Sequence, residues 1–136
     1  MDVERKVVRT EEEWRRLLTP EQFRILRLRE TERAETGDHA HEDAPGVYRC
    51  AGCGTELFRS EAKYESGSGW PSFTEPVSPE NVETEVDRSH FMERVEVLCA
   101  VCEGHLGHVF PDGPGPAGLR YCINSAALKL DETGDA

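Results

Sequence analysis

The chain has 136 residues, 37% hydrophobic and 32% charged, and a formal net charge of −11. That length suits one domain with a lean core, and such an acidic surface with no long Lys/Arg run argues against nucleic acid as a partner. No apolar run approaches the roughly 20 residues that span a bilayer, and the charged Met1–Lys6 start carries no signal-like apolar stretch, so a cytoplasmic monomer with no membrane partner is expected.

Residues 1–30 are predicted to be helical. Thr10 precedes Glu13 at capping-box spacing, followed by an apolar stripe of Trp14, Leu17 and Leu18. Thr19-Pro20-Glu21-Gln22 is a second start signal, with a Thr N-cap and Pro at the first helical position. Phe23, Ile25, Leu26 and Leu28 supply its apolar stripe, and both segments are expected to pack as a collar around the core. Residues 31–46 are polar and turn-rich and are predicted to form a loop. A β core is expected over 47–130, with strands at Val47–Arg49, Thr55–Phe58, Val95–Cys99, Leu106–Phe110 and Leu119–Leu130. The whole, 1–136, reads as one domain: a helical N-terminal segment followed by a small, mostly antiparallel β core.

Four of the five cysteines form two Cys-x-x-Cys knuckles, Cys50/Cys53 and Cys99/Cys102, separated by residues 54–98. Four thiolates are a complete tetrahedral ligand set for one zinc ion per chain, with no open coordination position, so the site is structural. The long gap predicts a clasp joining two distant hairpins. Gly52 and Gly54 suit the tight knuckle geometry. A redox dithiol at one knuckle is the rival reading, and iron would accept the same ligands. In a lean chain, bound metal would add stability that the core supplies only in part, and cysteines at metal spacing suit a reducing compartment.

The fifth cysteine, Cys122, lies in Leu119–Asn124. Strand alternation puts Arg120, Cys122 and Asn124 on one face and Leu119, Tyr121 and Ile123 on the other. The first face reads as a site: a thiol beside a cation that favours its anion, and an amide able to donate a hydrogen bond. A buried, inert cysteine beside a salt-bridged arginine is the alternative. His105 and His108 are three apart, which points them to opposite faces of a regular strand, but Gly107 permits a bulge that brings them together. Imidazoles are the usual proton donors near neutrality. Ser66-Gly67-Ser68-Gly69-Trp70-Pro71-Ser72-Phe73 is a flexible turn followed by large aromatics. Trp70 is either a core residue or the aromatic wall of a small-ligand pocket, suited to a methyl or sulfur group.

Taken together, Cys50-x-x-Cys53, Ser66–Phe73, Cys99-x-x-Cys102, His105–Asp112 and Arg120–Asn124 resemble methionine sulfoxide reductase B. Leu18–Gln22 and Thr31–Arg33 resemble the same family, so the likeness runs from about residue 7 to 130. The resemblance implies two small antiparallel sheets (a β-tent, or Mss4-like, fold) with short N-terminal helices and a zinc clasp. It implies thiol-dependent reduction of methionine (R)-S-oxide, free or in proteins, through a sulfenic acid on Cys122. It also implies that His105 and His108, helped by Asn124, bind or protonate the sulfoxide oxygen, that Arg120 supports the thiolate, and that Trp70 with Phe110 cradles the methyl end. Two departures stand out. Ser68 occupies the place where many relatives carry a resolving cysteine, so thioredoxin or a small thiol is expected to reduce Cys122 directly. Glu35, His39 and Ala40 stand where many relatives carry aromatics. A non-catalytic zinc-clasped binding module is the competing expectation, and the two part at Cys122, which only the enzyme needs. A zinc-ribbon nucleic-acid binder is opposed by the charge.

Overall fold

The computed structural model describes residues 7–33, 44–88 and 93–132, and Glu35, His39 and Ala40 lie outside them. Two short helices, α1 (Glu11–Leu17) and α2 (Pro20–Leu26), begin where the capping signals place them. In each, the Thr side chain accepts from the third helical N–H, and the Glu13 or Gln22 side chain accepts from the Thr N–H in return. Trp14, Leu18, Phe23, Ile25 and Leu26 are buried, as the apolar stripes require. Leu17 and Leu28 are not: both are exposed, because each helix runs fewer than two full turns and α2 ends before Leu28. Thr19→Ala removes one side of the second box and is expected to cost ~1 kcal/mol, measured as a lower urea midpoint at unchanged slope.

The rest is antiparallel β, as expected. β1 (Gly46–Cys50), β2 (Glu56–Arg59) and β9 (Leu128–Glu132) form a sheet in the order β2-β1-β9. The larger sheet takes β3 (Lys63–Tyr64), β4 (Ser72–Phe73), β5 (Val82–Asp87), β6 (Arg94–Cys99), β7 (His105–Phe110) and β8 (Arg120–Ile123) in the order β3-β4-β8-β7-β6-β5. The predicted stretch 119–130 is therefore two strands on different sheets, divided by a 3-10 turn at Ser125–Ala127. β5 carries no sequence signal; it is a polar outer strand paired along its whole length with β6.

The sheets meet through aromatic rings. Phe58 of β2 stacks on Phe73 of β4 with centroids 4.4 Å apart, and Tyr48 of β1 meets the same ring edge-on at 5.2 Å. All three are fully buried. Trp14 and Leu26 of the helices pack against Gly52 of the first knuckle, where an added Cβ would lie 3.3 Å from the Trp14 ring. The helical collar thus rests on the cysteine clasp as well as on the core. No helix among the described residues is long and apolar enough to cross a membrane.

Candidate active site and metal centre

Cys122 lies on β8 opposite Ser72 of β4 and His108 of β7. Tyr121 and Ile123 turn into the core, whereas Arg120 and Cys122 face the other way, as alternation predicts. That face opens onto a cavity of about 310 Å³. Trp70, His108, Phe110, Arg120, Cys122 and Asn124 all line it, so six side chains singled out in separate stretches of sequence converge. The close approach of β7 to β8 depends on Gly107, since a Cβ there would sit 2.1 Å from the Cys122 carbonyl oxygen.

His105 reaches the site through a bulge. Glu96 pairs with His108 and Val97 with Gly107, but Leu98 pairs with His105, so Leu106 is the extra residue. The shift moves His105 onto the face of His108, and the two rings stand 5.5 Å apart, edge to face. His105 lies behind the cavity wall, 3% exposed. Its Nδ1 meets Glu96 Oε2 at 2.7 Å, and its buried Nε2 has no hydrogen-bond partner among the described residues. Burial pushes the His105 imidazole below its ordinary value, against the opposing pull of Glu96. His108 Nε2 meets Asp87 Oδ2 at 2.8 Å, and Arg94 approaches the same carboxylate oxygen at 3.4 Å.

Sequence reasoning missed both carboxylates. Glu96 reads as the solvent-facing member of an alternating Val-Glu-Val run, yet Glu96 is buried and Val95 exposed. The only available signal was a histidine able to partner it nine residues on. Glu32, also buried, was missed as well. Its carboxylate accepts from the Ser125 and Ala126 N–H groups at 2.8 and 3.0 Å.

The surroundings of the thiol act in opposite directions. Arg120 is engaged by Asp112 through two hydrogen bonds of 2.8 and 3.2 Å and lies over the Phe110 ring. Burial pushes the Cys122 thiol above its ordinary value, and the opposing effects of Ser68 and Arg120 do not cancel it.

The four remaining cysteines gather as the knuckle spacing predicts. Their sulfur atoms all lie within 4.8 Å of one another. Cys50–Cys102 and Cys53–Cys99 stand at 3.7 and 3.5 Å, close to the edge of roughly 3.8 Å that a tetrahedron with 2.3 Å metal–sulfur bonds requires. These separations are far longer than a disulfide bond. Each knuckle repeats the same hydrogen bonds. Gly52 N–H donates to Cys50 Sγ and Val101 N–H to Cys99 Sγ, both at 3.4 Å. Gly54 N–H donates to the Cys50 carbonyl and Glu103 N–H to the Cys99 carbonyl. The residue after each knuckle is left-handed, Gly54 at φ 83° and Glu103 at φ 64°. Four clustered sulfurs, two of them with amide donors aimed at them, fit a zinc ion. The first knuckle closes β1 of one sheet and the second closes β6 of the other, so a metal held here would join the two sheets.

Comparison with known proteins gives a consistent result. The model of the SelR domain matches residues 18–132. The chain is 61% identical over 126 residues to the peptide methionine sulfoxide reductase MsrB of Bradyrhizobium diazoefficiens, covering 93% of this chain and 91% of that protein. It is 57% identical over 127 residues to the MsrB of Leptospira interrogans, covering 93% and 97%. An archaeal MsrB, from Methanosarcina barkeri, is 51% identical over 133 residues, covering 96% and 94%.

Proposed function

We propose, from the premise that this chain belongs to the SelR-domain family of MsrB peptide methionine sulfoxide reductases, that it reduces methionine (R)-S-oxide in peptides or proteins by thiol chemistry at Cys122. The observation that carries this reading is a single cysteine, separate from the metal clasp, facing a cavity walled by an indole, an imidazole and an amide.

Trp70 and Phe110 hold the methyl end of the oxidised side chain, with aromatic faces suited to a thioether. In this scheme the Cys122 thiol supplies the proton that the sulfoxide oxygen needs. His108 accepts it as the sulfur becomes nucleophilic and delivers it to that oxygen, while Asp87 holds the ring in place. His105, braced by Glu96, lies behind and orients the pair. Asn124 donates to the same oxygen. Methionine leaves reduced by two electrons, and Cys122 is oxidised to the sulfenic acid carrying the oxygen. A thiol then attacks that sulfur and releases water, and a second thiol releases the mixed disulfide to restore Cys122. Ser68 cannot form a disulfide and the other cysteines sit in the clasp, so both thiols come from outside, from thioredoxin or a small thiol.

Zinc in the four-cysteine clasp would be structural, with every coordination position filled by sulfur. The reading takes the chain as one reductase domain acting as a monomer in the cytoplasm, where five free thiols stay reduced. Turnover of resolved epimers of N-acetyl methionine sulfoxide with dithiothreitol tests it: the R epimer should yield product and the S epimer almost none. An absence of R-selective product would overturn it.

A further inference from the structure

Thr31, Glu32 and Arg33 belong to no helix or strand, yet Glu32 is one of the few buried carboxylates, 7% exposed. It is held through three of its own groups, the carboxylate, the N–H and the carbonyl, by four partners. Its carboxylate accepts from the Ser125 and Ala126 N–H groups, which open the 3-10 turn directly after the Cys122 strand. Asn124 is the N-cap of that turn and makes no side-chain cap bond to it, so Glu32 caps the turn from 93 residues away. Its own N–H donates to Asn124 Oδ1 at 3.1 Å. Its carbonyl accepts from Trp70 Nε1 at 3.0 Å.

These bonds determine the orientation of both cavity side chains. A backbone N–H only donates and a backbone carbonyl only accepts, so Asn124 must turn its oxygen toward Glu32 and its NH₂ toward the Leu106 carbonyl, 3.0 Å away. One of the two amide hydrogens is used by Leu106, and the other remains for a ligand. The indole is anchored in the same way by its only donor.

We infer that Glu32 is the positioning residue of this site: one buried side chain and its peptide groups lock the Trp70 wall and the Asn124 amide in register with Cys122. It touches no reacting atom. It acts by fixing two groups that do, and small displacements of such groups are costly to a reaction that depends on orientation. The inference rests on the proposed reductase reading. Glu32 also adds a negative charge that raises the Cys122 thiol. Among the described residues, the other charged or titratable groups around that thiol are Arg120 with Asp112, His108 with Asp87, Arg94, and Tyr64 of β3. Glu32→Gln leaves each of them in place.

The test is Glu32→Gln in the full chain. Its amide NH₂ opposes one of the two backbone donors, and the charge is lost. Zinc content should stay at one per chain. KM for the R epimer should rise about tenfold with a smaller fall in kcat, and the pH midpoint for alkylation of Cys122 by iodoacetamide should fall. Unchanged KM, kcat and alkylation midpoint in a folded variant would overturn the inference. Should Glu32→Gln not fold, Glu32→Asp keeps the charge but cannot span both donors. It should raise KM while leaving the alkylation midpoint alone, and a wild-type KM there would also overturn the inference. Failure of the unsubstituted protein to turn over the R epimer counts instead against the reductase reading.

Discussion

Cys122→Ser is expected to lower kcat by about a thousandfold or more while leaving the fold and the clasp intact. The exchange replaces sulfur by oxygen at a position on the cavity wall, and the ladder bonds to β4 and β7 are backbone bonds that it does not touch. What changes is the chemistry. A sulfoxide sulfur is a soft electrophile, and the sulfur nucleophile can carry the oxygen away as a sulfenic acid, whereas a serine hydroxyl is a weak nucleophile with no equivalent product. Three measurements made together give the result its meaning: R-epimer turnover, zinc content and the thermal midpoint. Activity within tenfold of the starting protein would remove Cys122 from the mechanism and restore the binding-module reading. A complementary measurement uses the unsubstituted protein with substrate and no reductant. One added oxygen should map to Cys122 and to no cysteine of the clasp.

What could be read in advance divides along a physical line. The capping boxes at Thr10 and Thr19 involve partners three residues apart, so they are complete within the sequence window that displays them. The knuckles are local in the same sense, and their joint spacing announces a tetrahedral site. Face sorting in 119–124 succeeds because strand alternation is strict over so short a run. The bulge at Leu106 was legible because Gly107 lies between two histidines that a regular strand would separate. Long-range electrostatics was not legible. Glu96 looks solvent-facing until His105 is folded against it. Glu32 sits in a segment with no helix or strand signal, and the partners of its carboxylate are over ninety residues away. β5 has only Val82 and Val86 amid polar residues and takes its order from β6. The opposing influences on Cys122 were not legible for the same reason: Asp112 engages the Arg120 guanidinium, and the burial that raises the thiol is a property of the assembled sheet.

The second large effect concerns the clasp. Cys99→Ser should cost ~3–5 kcal/mol, a fall in the thermal midpoint of about 10–20 °C for a chain of this size. The argument starts from the gap between knuckles. Cys50 ends β1 of the three-stranded sheet and Cys99 ends β6 of the larger one, so a zinc ion between them would constrain two sheets otherwise held by an aromatic cluster and by the helices resting on Gly52. Removing one thiolate leaves three sulfurs crowded in a partly buried site with one bond of the tetrahedron missing. Because the four ligands act as one unit, Cys50→Ser combined with Cys99→Ser should cost little more than either alone once the metal has gone. Costs that simply add would mean four independent buried thiols and no shared ion. Metal analysis of the purified chain should return one zinc, and chelation under reducing conditions should reproduce the fall in midpoint. In the zinc-loaded protein iodoacetamide should label Cys122 and spare the four clasp sulfurs, whereas after chelation all five should react. Labelling of a clasp cysteine before Cys122 in the loaded protein would exchange the roles of the two kinds of sulfur and overturn the division of labour on which the proposed chemistry depends.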